Sequence, residues 1–483
     1  MEFSLIAQTL DILEKTSSKI QQAAALSILF KKTPASVIDK VVYIILGTLW
    51  PDWKGMPELG IAEKGIQKAI AMSTGVQEVE VEKLYKSLGD FGLAVERIKS
   101  SRSLRTVGLA NFIKSGRAEQ TKGITVDEVY NTFVKIASLQ GEGSRDMKLR
   151  LLSAVLAKAD PREAKYIVRF VEGRLRLGVG EATVMDGLAS AFGIARDVIE
   201  RAYNIYPDLG AVAKIIAEKG ASEIKHLKPT PGVPLRPMLA ERASDPNEIL
   251  AKAGCPAVAE FKYDGERAQI HKKGDRIWIF SRRLEEITNQ YPDVVEMALR
   301  HVNAGEAIIE GEIIAVDPET GDFRPFQELM HRKRKKDIHE ALEEYPVIVK
   351  VFDCLYVDGY DLTIKPLAER KEMLKKIVTE SEKFSLADGA IVSTPKELDT
   401  FFMKAVENGC EGLVVKSLNP DSIYQAGVRG WLWIKYKRDY RSEMTDSVDL
   451  VVVGAFHGRG KRAGTFGALL LAAYDAESDR FKT

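Results

Sequence analysis

Four prolines crowd the ten residues from Lys228 to Pro237 (Lys-Pro-Thr-Pro-Gly-Val-Pro-Leu-Arg-Pro), and such a stretch cannot be helical. It reads as an extended linker, and the chain on its two sides folds by different rules. Before it, from Met1 to about Lys219, apolar residues recur at spacings of three and four, as in Leu149, Leu152, Val155 and Leu156. Asp160-Pro161 is expected to start one of these helices, with the proline in its first turn. After the linker come short β runs: Ile277 to Ser281, Ala307 to Val316, Val347 to Val357, Gly412 to Lys416 and Trp431 to Tyr436. Helical segments such as Leu367 to Val378 lie between them, which is an α/β pattern. From about Asp449 the texture changes again. Leu450 to Ala455 and Ala468 to Tyr474 read as strands around a glycine-rich turn, like the first half of a small β-barrel. The expected division is an all-α domain over 1–219, a linker over 220–237, an α/β domain over 238–440 and the start of a β-barrel over 441–483.

A chain of 483 residues is too long for one core. With 45% apolar and 29% charged residues it reads as soluble and globular. No apolar run approaches the roughly 20 residues that span a bilayer, and the first residues lack the pattern of an export signal. Three widely spaced cysteines, Cys255, Cys354 and Cys410, suit a reducing cytoplasm and argue against a disulfide framework or a zinc site. The net charge of +1 announces no nucleic-acid partner, so any such binding has to come from local patches.

Lys262 opens the stretch Lys-Tyr-Asp-Gly-Glu-Arg267 and follows the apolar run Ala257 to Ala259. A primary amine before an Asp-Gly turn can stand at the mouth of a pocket, partly stripped of water, and act as a nucleophile. In Ile308-Ile-Glu-Gly-Glu-Ile313 the period of a strand sends Glu310 and Glu312 to one face. That pair is either a solvated strand face or a site for a metal or a ribose hydroxyl; the isoleucine flanks favour burial with a partner. Trp431, Trp433, Lys435 and Lys437 share a face in the same way, suiting either a polyphosphate or a basic edge strand. Phe352 is either core or a platform for a purine. Arg282 and Arg283, closing a β run, are either phosphate contacts or ordinary surface charge.

Taken in order, Lys262-Tyr-Asp-Gly-Glu-Arg267, Ser281-Arg282, Glu310-Gly-Glu312, Phe352-Asp353, Glu411-Gly-Leu-Val-Val-Lys416 and Trp433-Ile-Lys435 resemble the motifs of covalent nucleotidyltransferases. More closely, the chain resembles the archaeal ATP-dependent DNA ligases, relatives of the replicative ligases of eukaryotes. The helical half is similar too, at Gly141-Glu-Gly-Ser144 and from Lys165 to Gly178. The resemblance implies a helical DNA-binding domain, an adenylation domain and an OB-fold barrel that is incomplete within this sequence, because the family's last basic motif would follow Thr483. Lys262 would attack the α-phosphate of ATP and carry AMP as a phosphoramide. That attack needs a neutral amine, whereas a free lysine titrates near about 10.4. Glu260 would read the adenine through its backbone, Arg267 and Glu312 would hold the ribose, and Phe352 would stack on the base. Arg282, Lys416, Arg429 and Lys435 would contact phosphates, and Glu310 and Glu411 would hold Mg²⁺. AMP would pass to the 5′-phosphate of a nick in duplex DNA, and the 3′-hydroxyl would then displace it, in replication, repair and recombination.

In the helical half the resemblance implies phosphate contacts, with Arg169, Arg174 and Arg176 as the candidates. The basic run His331 to Lys336 either touches DNA or is a solvated face. A sliding clamp is a further expected partner, although Leu109-Ala-Asn-Phe-Ile113 lacks the family's Gln-plus-aromatic pattern. The enzyme is expected to be a monomer whose proline-rich linker permits large domain swings. Two other readings start from the same residues. An RNA ligase or capping enzyme shares Lys-x-Asp-Gly but leaves the long helical half unexplained. A non-catalytic scaffold that encircles DNA would bind nicks without forming a covalent nucleotide.

Overall fold

The computed structural model describes residues 1–110, 123–334, 342–438, 449–458, 465–475 and 478–483. Up to Lys225 the described chain is helical, from Phe3–Lys15 to the short Ala221–Lys225. One continuous core, running from Phe3 to Ile224, gathers the apolar stripes of these helices. The helix Pro161–Val171 begins as its sequence predicts. Asp160 caps the backbone of Glu163, Glu163 reaches back to Asp160, and Pro161 fills the first turn. The helix carries a second burden: its polar residues Lys165 and Arg169 are buried as well.

The next region is built on two sheets. One has five strands, in the order β1 (Leu239–Arg242), β11 (Arg429–Lys437), β10 (Gly412–Ser417), β2 (Ala257–Lys262) and β9 (Gly389–Val392). The other runs β4 (Arg276–Ser281), β3 (Glu266–Lys273), β5 (Glu306–Ala315), β6 (Val347–Val357) and β7 (Tyr360–Asp361), with β8 (Phe384–Leu386) pairing to β6. The helices Pro292–His301 and Leu367–Ile377 close the core of the second sheet, and Pro246–Ala253 and Pro395–Glu407 that of the first. The β runs expected from sequence recur with ends shifted by a few residues. β3 was not legible. Arg267, Gln269 and His271 alternate with Ala268 and Ile270, and both faces are shielded, so a buried polar network replaces the usual apolar alternation.

The proline-rich segment is extended, as expected, but it is not a loose tether. Gly232 N–H donates to His271 Nδ1 at 3.1 Å and Leu235 N–H donates to Gln269 Oε1 at 2.7 Å. Leu235 and Met238 are buried in a cluster with Trp433, Tyr424 and, from the helical half, Ile205. Arg236 N–H donates to Asn204 O, and Gly427 N–H donates to Arg236 O, so the strap is stitched to both halves. In this arrangement its free N–H groups find side-chain acceptors on β3, and apolar burial holds it down.

Beyond Asp449 an antiparallel sheet joins β12 (Val451–His457), β13 (Phe466–Asp475) and β14 (Arg480–Lys482). Val452, Phe456, Phe466 and Leu469 are exposed on it. No helix among the described residues is long and apolar enough to cross a membrane.

Candidate active site

The two sheets face each other across a cleft, and the spacing of their strands fills it. Lys262 ends β2, where its Nζ lies 2.8 Å from Glu411 Oε2; Lys437 Nζ reaches the same oxygen at 2.5 Å. Backbone register fixes this trio, because Glu411 N–H donates to Lys262 O at 2.9 Å. Burial pushes the Glu411 carboxyl up, but the Lys262 and Lys437 ammoniums outweigh it and hold it below its ordinary range. Two glycines let the strands come this close. A Cβ at Gly265 would collide with the carbonyl oxygen of Ile313, and one at Gly412, whose φ is +143°, with that of Tyr436.

Deeper in the cleft, Glu260 is tied to two lysines. Lys416 Nζ lies 2.5 Å from its Oε2, and Lys371 from the helix Leu367–Ile377 pairs with its Oε1. Burial, helped by Arg267 and Arg370, pushes Lys416 down to about 7 against the pull of Asp353. The contact with Glu260 works against that shift, because a carboxylate favours the charged ammonium. The same ammonium lies 4.3 Å from the Trp433 ring and 4.5 Å from the Phe352 ring. Phe352 is partly exposed and lines the cleft, leaving ring surface for a planar ligand.

Arg267 and Glu312 are paired across β3 and β5, and both line the cleft. Burial pushes Glu312 up to about 7, against the pull of Lys262 and Arg267. Glu310 behaves differently. It is 1% exposed, and its Oε2 accepts from Arg267 Nη2 at 2.9 Å and from Tyr424 OH at 2.8 Å. That corrects its expected metal role: a carboxylate already filled by buried donors braces Arg267 and does not reach the amine. Glu312 is the carboxylate of the pair that senses both Lys262 and Glu411. Among the described residues no three His, Cys, Asp or Glu side chains are grouped to hold a metal. Two carboxylates beside an amine still fit Mg²⁺, a hard cation that keeps waters and takes further oxygens from a substrate's phosphates.

Arg282, Arg429 and Lys435 line the outer part of the cleft. Partial burial, then Arg429, Arg242, Lys437 and Arg282, push Lys435 down, so several cations crowd this ammonium. Sequence reasoning missed Lys371, Gln269 and Tyr424. Lys371 looks like one more charge on an amphipathic helix, and Tyr424 lies in an irregular stretch with no period to read.

The arginines expected to grip DNA are divided by the fold. Arg169 is 1% exposed and locked between Asp90 (2.9 Å) and Glu14 (2.9 Å), so it braces the helical core and presents no surface cation, a correction. Arg176, at φ +60°, is pinned by Asp90 at 3.1 Å and donates to Gly89 O at 3.1 Å. Arg174 is 44% exposed, with Glu172 at 3.6 Å. In the basic run from His331, Arg332 is likewise buried, against Tyr291 and Asp293, so there it belongs to neither a DNA contact nor a solvated face. The far end of that run and the stretch Leu109 to Ile113 lie outside the residues whose side chains are described.

Comparison with known proteins places these features. Residues 237–437 match the family model "ATP dependent DNA ligase domain", and residues 2–189 match "DNA ligase N terminus". The whole chain is 59% identical to a DNA ligase of Hyperthermus butylicus, covering 80% of that protein, and 57% identical to one of Aeropyrum pernix, covering 81%. A solved structure described as Pmar-Lig_PreS3 aligns over 98% of this chain and 85% of its own, with a TM-score of 0.55 at 17% identity, a likeness of fold.

Proposed function

The chain belongs to the ATP-dependent DNA ligases, and from that premise we propose how its own side chains seal a nick. ATP lies in the cleft with its base against Phe352, its ribose at Arg267 and Glu312 and its phosphates among Lys435, Arg429 and Arg282. The Lys262 amine attacks the α-phosphorus. A P–N bond forms, the P–O bond to the β-phosphate breaks, and pyrophosphate leaves while the amine gives up its protons to solvent. The DNA 5′-phosphate then takes AMP from Lys262, and the 3′-hydroxyl attacks that phosphate and releases AMP. Glu411 and Glu312 would hold Mg²⁺, which supplies charge neutralisation on the phosphate oxygens. Glu411 also fixes Lys262 in place, and the cationic rim favours a leaving group that gains charge. Arg174 contributes a phosphate contact on the helical side. Every group in this reading comes from one chain, as a monomer requires, and the activity fits replication and repair of DNA.

The observation that carries this reading is the amine of Lys262, held 2.8 Å from a carboxylate at the mouth of a cleft with surplus cations. Incubation with Mg²⁺ and ATP labelled at the α-phosphate should give an acid-labile protein adduct that Lys262→Ala abolishes. A label that persists on Lys262→Ala would remove Lys262 from its role.

A further inference from the structure

Glu172, at the C-terminal end of the helix Pro161–Val171, has no place in the chemistry above, yet its setting is unusual. Its side chain is 4% exposed, and neither carboxylate oxygen has a hydrogen-bond partner. The nearest cations are Arg174 at 3.6 Å and Arg176 at 4.0 Å, distances that give charge pairing without a hydrogen bond. The carboxylate lines a cavity between the segment Gly47 to Ala62 and Glu285 of the adenylation region, and Asp52, Glu58 and Glu285 face the same space. The backbone beside it is held in an unusual state: Arg176 keeps a left-handed conformation and is fastened to Asp90 and Gly89. Arg176 is thus anchored, whereas half-exposed Arg174 is held by Glu172 alone among the ion pairs of this loop.

We propose that Glu172 is a positioning residue that competes with DNA phosphate for Arg174, so that gripping the duplex exchanges an ion pair inside the protein for one with the substrate. The inference rests on the reading of Arg174 as a phosphate contact. When Arg174 turns outward, a nearly buried carboxylate loses a countercharge and keeps only Arg176, itself shared with Asp90. The groups that face Glu172 set the sign of the pH dependence. Burial pushes its carboxyl up, Arg176 and Arg174 pull it down, and Asp90 and Glu63 push it up. Departure of Arg174 raises it further, so the bound state takes up more protons than the free state, and affinity for DNA should rise as pH falls.

The test is binding of the whole chain to a nicked duplex without ATP, by fluorescence anisotropy at one salt concentration, over pH values from about 8 to about 5.5. At the upper end Glu172→Gln should bind roughly three- to tenfold more tightly than the wild type, and the two should converge as pH falls. Arg174→Ala should bind more weakly, and in that background the gain from Glu172→Gln should shrink. Equal or weaker binding by a folded Glu172→Gln, or an undiminished gain in the Arg174→Ala background, overturns the inference while leaving the phosphate contact standing. Wild-type affinity in Arg174→Ala overturns the contact itself and the inference with it. If Glu172→Gln does not fold, the pH profiles of the wild type and Arg174→Ala decide. The rise in affinity at low pH must be larger in the wild type, and parallel profiles reject the competition.

Discussion

The helical half and the adenylation cleft both gather arginines and lysines, but the two sets are balanced in opposite ways. In the helical half Arg169 is matched by Asp90 and Glu14. At the rim of the cleft Lys435 has Arg429, Arg242, Lys437 and Arg282 for neighbours, and its ammonium is pushed down. The first group is neutralised on folding and holds the fold together. In the second, although Lys437 is matched by Glu411, cations crowd Lys435, and a polyanion can relieve that crowding. Where the countercharge comes from, more than the count of basic residues, separates a brace from a binding site.

Removing a brace should give the largest effect. Arg169→Ala leaves buried Asp90 with Arg176 as its remaining ion pair and Glu14 with Lys165. We expect a loss of about 3 to 5 kcal/mol of stability, read by chemical denaturation. A loss below about 1 kcal/mol would mean that the core does not depend on this pair, and the contrast would fail at its strongest point. At the rim the pattern should reverse. Lys435→Ala is expected to lower the rate of adduct formation by about a hundredfold, while moving stability by no more than about 0.5 kcal/mol.

A third experiment probes the boundary between the two regimes. Glu312 is a carboxyl pushed up to about 7 by burial, against the pull of Lys262 and Arg267. Below that pH it binds a proton and loses its charge; above it the carboxylate is available to a cation. Adduct formation at limiting Mg²⁺ should therefore fall as pH drops through about 7, and the fall should be relieved by added Mg²⁺. Glu312→Gln should be slow at every pH and lose that step. A wild-type profile flat across this range would take Glu312 out of the metal role.

Much of this was legible in the sequence, for a physical reason. Strands buried on one or both apolar faces announce themselves, so β5, β6, β10 and β11 were found, and the motif glycines Gly265 and Gly412 sit where strands crowd. Parity then put Glu310 with Glu312, and Trp433 with Lys435, on shared faces, whereas Lys416 came from the family resemblance alone; Glu312, Lys416, Trp433 and Lys435 all line the cleft. Parity alone could not separate Glu310 from Glu312. Both leave the strand on one face, but Gln269 and Tyr424 meet only the first, and they come from a strand and a loop distant in the chain. Arg169 failed for the same reason. Its partners lie 79 and 155 residues away, beyond the reach of any local pattern.

Tyr424 offers the finest cut between brace and binding site, because it touches both. Its hydroxyl donates to Glu310 Oε2 at 2.8 Å and accepts from Met238 N–H at 2.9 Å, and Glu310 in turn holds Arg267. Arg267 also donates to Met238 O at 2.8 Å, so the strap after the prolines and Arg267 share one buried network. Tyr424→Phe keeps the ring in its cluster with Trp433 and Met238 but leaves the Met238 N–H without its acceptor and Glu310 short of a donor. A buried donor left unpaired costs about 1 to 3 kcal/mol, and part of that should appear as lost stability. If the network also orients Arg267 for nucleotide, the half-saturating ATP concentration for adduct formation should rise by a few-fold while the saturated rate stays near the wild type. A stability loss with unchanged ATP dependence would make Tyr424 a brace alone. A change in ATP dependence with unchanged stability would place it wholly with the cleft. The hydrogen bonds at both ends of its hydroxyl predict that the two readouts move together.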